Sequence, residues 1–250
     1  MPSLPNYKQI GSFSREELSE FLFKNLPSLV EEEALAVLGN PYVTPRMCQA
    51  IAVTRHLAGF HAVRLRLVQT RATPLTHSIK LVHYLSWTDL LRLSVDVTIP
   101  AQVRRAIDTQ LLLRLDTVSL GERISAAKRC SAALIKVFLF EPDAKVFAAL
   151  LINPRLREED LLLMARSERS SVEKLQLLAS DRKWSFRYAI RRALVMNPST
   201  PRFAAASQLR FLSRRDLRII QDDPATSTYL RRCIERLPLG VFARGTERID

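Results

Sequence analysis

The stretch from Thr73 to Ile107 recurs 127 residues later as Thr200 to Ile234, with no gap. Thr73-Pro74 returns as Thr200-Pro201, Leu85-Ser86 as Leu212-Ser213, and Asp89-Leu90 as Asp216-Leu217. Asp96 returns as Asp223, Arg104-Arg105 as Arg231-Arg232, and Ile107 as Ile234. A register kept through helix starts, turn residues and apolar positions alike implies that both stretches fold the same way. It constrains the architecture and says nothing of an activity.

The residues between the matches have helical punctuation. Ser14/Glu17, Ser86/Asp89, Ser119/Glu122, Ser170/Glu173 and Ser213/Asp216 fit the capping box, in which a hydroxyl and an acid three residues on serve each other's amides. Asn40-Pro41 through Thr44-Pro45, and Asn197-Pro198 through Thr200-Pro201, read as stops followed by starts. Asn tolerates the left-handed conformation that ends a helix, Pro forbids continuation, and Thr-Pro caps and opens the next one. Apolar residues recur at helical spacing in Val103, Ala106, Ile107 and Leu111, and again in Leu230, Cys233, Ile234 and Leu237.

This pattern predicts helices near 14–24, 29–38, 45–57, 60–68, 74–84, 86–95, 100–115, 119–130, 132–140, 143–152, 157–166, 171–180, 185–196, 201–211, 213–221 and 226–237. Six glycines against thirteen prolines agree with helices stopped by Pro rather than strands joined by Gly turns. Helices this short need neighbours to cover their apolar stripes. The expectation is one all-α array of stacked helical hairpins over residues 13–237, with a loose arm at 1–12 and a tail at 238–250.

The segments Glu141-Pro142-Asp143-Ala144-Lys145-Val146, Asn153-Pro154-Arg155-Leu156 and Asn197-Pro198-Ser199-Thr200-Pro201, followed by Asp216-Leu217, resemble bacterial HEAT-like and leucine-rich-repeat-variant proteins. The resemblance covers most of residues 30–237 and implies a right-handed α-solenoid. It also implies a ladder between a turn Asp and an Arg six positions on, a spacing that Asp181 and Arg187 match. Such proteins mostly bind proteins or nucleic acids, and some HEAT-like members are DNA glycosylases or bilin lyases.

The net charge of +13 is unevenly placed. Residues 1–44 carry 3 basic and 6 acidic groups and 116–180 carry 10 and 9, whereas 45–115 carry 10 and 3 and 181–250 carry 15 and 7. The excess therefore sits in the duplicated regions, and it favours nucleic acid, anionic lipid or an acidic protein as partner. Cys48, Cys130 and Cys233 are far apart and read as reduced core residues of a cytoplasmic protein. The N-terminus lacks a signal-peptide pattern, and no segment is apolar enough to span a membrane.

For chemistry there is little material. His56 and His61 are five apart and His77 and His83 six apart, wrong for a helical metal pair, so neither metal nor cofactor is expected. Glu31-Glu32-Glu33 and Glu158-Glu159-Asp160 suit helix N-termini. Trp87 near Asp89 and Trp184 near Asp181 could cradle a flipped base in a DNA glycosylase, but packing accounts for both.

The functional expectation rests on arginines. On a helix, the second member of Arg104-Arg105, Arg191-Arg192 and Arg231-Arg232 lies about 200° from the preceding apolar residue, so Arg105, Arg192 and Arg232 face solvent. Arg187, Arg114 and Arg236 lie near by, and guanidinium forks suit phosphate oxygens. The sequence thus points to non-catalytic binding of nucleic acid or an acidic protein. A scaffold with incidental basicity is the alternative, and a DNA-base-excising enzyme is third.

Overall fold

The computed structural model describes residues 7–237, and among these there is no strand. Contacts divide the chain at Val118/Ser119 into two compact units. Unit 1 runs through α1 (Tyr7–Ile10), α2 (Arg15–Asn25), α3 (Glu31–Gly39), α4 (Pro45–Val53), α5 (Arg55–Gly59), α6 (His61–Gln69), α7 (Leu75–Val82), α8 (Trp87–Ser94) and α9 (Ala101–Arg114). Unit 2 runs through α10 (Leu120–Ala127), α11 (Ala132–Phe138), α12 (Ala144–Leu150), α13 (Glu158–Arg166), α14 (Val172–Ser180), α15 (Tyr188–Met196), α16 (Arg202–Leu209), α17 (Arg214–Asp222) and α18 (Thr228–Glu235). The tail at 238–250 and residues 1–6 of the arm lie outside the described residues. Within the rest of that arm, α1 forms and Ile10 is fully buried.

The 127-residue offset reaches further than the sequence match. Adding it to α3, α4 and α6 gives the bounds of α13, α14 and α15 at both ends, and adding it to the first residues of α7, α8 and α9 gives those of α16, α17 and α18. The packing follows suit. In unit 1, α3 and α4 contact α6, α6 contacts α7, and α7 and α8 contact α9; in unit 2, α13 and α14 contact α15, α15 contacts α16, and α16 and α17 contact α18. The core that joins α15 to the last three helices consists of Val195, Ala205, Leu209, Leu212, Leu217, Ile220, Leu230 and Ile234. Every one of these has a buried counterpart in unit 1, at Val68, Ser78, Val82, Leu85, Leu90, Leu93, Val103 and Ile107. The same buried stripes, spaced at 3.6 residues, impose the same packing twice.

The stops work differently from their sequence reading. Among the described residues none has a positive φ, and Asn40 and Asn197 are extended, at φ −71° and −83°. Each Asn instead acts as a buried clamp. The Asn40 amide donates to Ile10 O (2.9 Å) and Phe13 O (3.1 Å), that of Asn153 to Ala127 O (2.8 Å), and that of Asn197 to Ala165 O (2.6 Å) and Ser167 O (3.1 Å). The amide oxygens accept from Tyr42 N, Arg155 N and Ser199 N, two residues on. One side chain thereby turns the chain and ties it to the end of an earlier helix.

The predicted capping boxes form in full at Ser14 and Ser119; at Ser86 and Ser213 the hydroxyl caps the helix, but the acid accepts from that hydroxyl rather than from the serine amide. Hydrogen bonds from Ser14 hold the Glu17 carboxyl below its ordinary value, and those from Ser119 do the same for Glu122. Ser170 does not cap: it is buried and donates to Met164 O, and Ser171 caps α14 instead. Thr44 caps α4, whereas Thr200 leaves its buried hydroxyl without a partner and Pro201 stands at the cap of α16. The predicted helix 45–57 breaks at Thr54, whose hydroxyl donates to Ala50 O.

Lys174 is buried because it occupies, 127 residues on, the place of the buried Met47. Its Nζ donates to Leu139 O (3.0 Å), and Glu141 near by pairs with Arg123. Burial pushes the Lys174 ammonium below its ordinary value, and Glu141 opposes the shift.

Two positions test these points. Asn153→Ala orphans a buried carbonyl and should cost about 2 kcal/mol; Asn153→Asp sets a carboxylate against carbonyls and should cost more. Urea unfolding ranks them, and an Asp variant as stable as the parent removes the clamp. Lys174→Met should stay within about 1 kcal/mol of the parent, because the buried stem contributes more than the charge. Lys174→Ala should lose about 2 kcal/mol through the cavity it leaves.

Candidate nucleic-acid interface

The sequence-predicted arginines fall into two groups. Arg105 on α9 and Arg232 on α18 occupy matching positions 127 residues apart, and both are exposed. Arg236 and Arg187 are exposed as well, Arg187 standing 3.7 Å from Glu158. Arg192 is less free: its Nε lies 3.1 Å from Asp216 Oδ1, a charge contact rather than an aligned hydrogen bond. Arg114 is spent inside unit 1. Its Nη1 donates to Leu85 O (2.8 Å) and its Nη2 to His83 O (2.6 Å), closing the C-terminal end of α7.

The first arginines of the pairs serve the fold. Arg104 Nε donates to Ile99 O (3.2 Å), Arg191 Nε to Ser185 O (2.6 Å) and Arg231 Nη2 to Asp223 O (2.9 Å). The ladder implied by the resemblance is replaced by other contacts. Asp181 Oδ1 accepts from the amides of Lys183 (2.8 Å) and Trp184 (2.9 Å), while Arg187 faces Glu158.

Sequence reasoning passed over the arginines of α16 and α17. Arg202, Arg210, Arg215 and Arg218 are exposed. On α17, Arg214, Arg215 and Arg218 fall within an arc of about 100°, turned away from the buried Leu217 and Ile220. The strongly amphipathic pattern of residues 213–222 was the signal that could have found them. Residues 181–237 carry 13 basic groups against 5 acidic.

Aromatic rings lie among these charges. The Arg191 guanidinium sits 3.8 Å from the Phe211 ring centroid and 5.6 Å from that of Phe186, and Arg210 lies 4.7 Å from Phe211. Burial, and secondarily the charge of Arg210, lower the Arg191 pKa from its ordinary value. Unit 1 repeats the arrangement in part, with Arg64 5.9 Å from the Tyr84 ring, each 127 residues before Arg191 and Phe211.

A second repeated feature is a carboxylate. Asp89 accepts from His61 Nε2 (2.8 Å) and from Ser86, with Arg92 3.5 Å away. Asp216 accepts from Tyr188 and Ser213 and pairs with Arg192. His61 and Tyr188 are again 127 apart, so each unit surrounds its carboxylate with a ring donor, a serine and an arginine. In unit 2 this group borders a cleft of about 550 Å³ that Arg166 and Glu168 also line. The carboxylates link helices: each accepts from the serine that caps its own helix and from a residue opening an earlier one.

Trp184 lies in the core, 3% exposed, with its indole N–H donating to Leu151 O (3.1 Å). It offers no face to a base. Among the described residues no group of three His, Cys, Asp or Glu side chains is placed to hold a metal, and no helix is long and apolar enough to cross a membrane. Comparison of the chain with protein-family models, with curated proteins and with solved structures finds no match.

Arg192 and Arg232 should separate on mutation. Arg192→Gln removes the partner of Asp216 and should cost up to about 1 kcal/mol, limited by solvent screening of a side chain 40% exposed. Arg232→Gln should change stability by less than about 0.5 kcal/mol. Thermal unfolding of the two single variants measures the difference.

Proposed function

We propose that this protein is a non-catalytic binding module for nucleic acid, engaging phosphates through exposed arginines of unit 2 and through Arg105 of unit 1. In this reading each unit stacks helical hairpins in the manner of a right-handed, HEAT-like or leucine-rich-repeat-variant α-solenoid. The repeated helix order and packing support the architecture. The observation that carries the function is the split among arginines: Arg104, Arg114, Arg191 and Arg231 are committed to backbone carbonyls, while Arg202, Arg215, Arg218, Arg232 and Arg236 are exposed.

Structural need accounts for the first set. The second concentrates positive charge on helices already held by their buried stripes, where the fold gains nothing from it. Phosphate contacts of this kind position a strand without reading base edges, so binding is weakly sequence-dependent. Arg92 and Arg192 have carboxylate neighbours and contribute less. An acidic protein would meet the same charge, but the rings beside Arg191 and Arg210 favour nucleic acid, since bases stack on such rings and acidic side chains do not.

The test is affinity for a labelled single strand and a duplex across a salt series. The wild type should bind at low salt with a steep salt dependence. Arg215→Gln, Arg218→Gln and Arg232→Gln combined should lower the slope by roughly one for each phosphate that is no longer neutralised. Wild-type protein that binds neither form at low salt would leave the scaffold reading in its place.

A further inference from the structure

Phe186 stands in the turn before α15 and is 71% exposed. The fold does not require a ring there. The matching position in unit 1 is Gly59, which precedes the matching helix α6, and a Cβ added to Gly59 meets nothing within 4 Å. The same position in the repeat thus holds a glycine that closes α5 in unit 1 and, in unit 2, a phenyl ring exposed in a turn. Exposing a ring of this size has a hydrophobic cost that the turn itself does not offset.

What lies behind the ring is organised. Arg191 is held by its bond to Ser185 O, and its guanidinium is placed near both Phe186 and Phe211. Arg210 approaches Phe211 as well, so two guanidinium groups share one ring. Among the described residues no carboxylate forms an ion pair with either arginine. Two like charges beside one apolar ring are stabilised by an arriving anion, and the exposed ring offers a face for a planar group.

We propose that the Phe186–Arg191–Phe211–Arg210 cluster is a stacking subsite for single-stranded nucleic acid, with an unpaired base on Phe186 and a neighbouring phosphate on Arg210. The inference rests on the nucleic-acid reading above and narrows it. Bases of a duplex are stacked on one another and cannot lie on a side chain without being unpaired, whereas single strands present their faces freely. Unit 1 keeps only part of this arrangement: Tyr84, the counterpart of Phe211, is 65% exposed with Arg64 5.9 Å from its ring, but Gly59 stands where Phe186 does. The subsite therefore selects strand state, while the exposed arginines supply affinity common to both forms.

The experiment uses the full chain with a fluorescein-labelled thymidine strand of about 20 nucleotides, a duplex of the same length, and phosphatidylserine vesicles. The single strand should bind about tenfold more tightly than the duplex. Phe186→Ala should weaken single-strand binding by about tenfold, leave duplex binding unchanged, and keep the salt slope, because stacking releases no counterions. The ring is exposed, so its removal should leave thermal unfolding in place. A second variant, Phe211→Leu, keeps an apolar side chain while removing the ring and should act in the same direction.

Equal affinity for both strand forms, or a Phe186→Ala variant that binds single strands like the wild type, overturns the stacking subsite and leaves the phosphate-binding reading standing. Failure of the wild type to bind either form at low salt removes both. A Phe186→Ala variant that loses vesicle binding and keeps single-strand binding assigns the ring to a lipid surface and overturns the inference.

Discussion

A short helix is mostly ends, and the ends must find partners. An α-helix leaves about four amides and four carbonyls without intrahelical bonds. From α11 to α18 the helices are only seven to nine residues long, so these orphan groups are a large share of the backbone. Serine and aspartate side chains meet the amides. The carbonyls are met by buried Asn amides, at Asn40, Asn153 and Asn197, and by guanidinium groups. Arg64, Arg104, Arg114, Arg191 and Arg231 all donate to main-chain oxygens at or beside helix ends. These five of the chain's thirty arginines are thereby committed to the main chain.

The two units also show which positions the fold can trade. In unit 1 an Arg66 guanidinium nitrogen lies 3.7 Å from where a Cβ on Gly39 would stand. The matching positions in unit 2 hold Ala193 and Arg166, so a guanidinium is supplied from the opposite helix. The carboxylates show the same exchange, Asp89 drawing its arginine from α8 and Asp216 from α15. Met47 and Leu57 give way to Lys174 and Trp184, all four buried. These exchanges preserve a charge contact or a buried side chain. The replacement of Gly59 by Phe186 preserves neither, which sets it apart from the others.

That contrast bears on function more than net charge does. Positive charge alone suits any anionic partner, and the charges on α16 and α17 could serve several. An exposed ring beside fixed guanidinium groups is more selective, because it adds a flat apolar face to the charge. With Trp184 enclosed in the core, the base-excision reading loses one of its two candidate rings. In the proposed reading, such a surface holds a strand by stacking and by charge.

The all-helical class, nearly every helix and the repeat were legible in the sequence, because apolar period and capping residues act over a few neighbouring positions. The exposed faces of Arg105 and Arg232 followed from the same local geometry. Sequence could not distinguish Arg114 or Arg192 from them, since their partners at Leu85 and Asp216 are brought near only by packing. The Asn residues were legible as chain breaks but not as clamps, for the carbonyls they hold lie 23 to 32 residues earlier. The Phe186–Arg191–Phe211 stack was invisible for the same reason: α15 and α16 must pack before a ring at one helix end meets a cation on another. Local pattern determined where helices start and which stripe is buried, whereas only tertiary packing decided which charges are spent on the fold and which remain exposed.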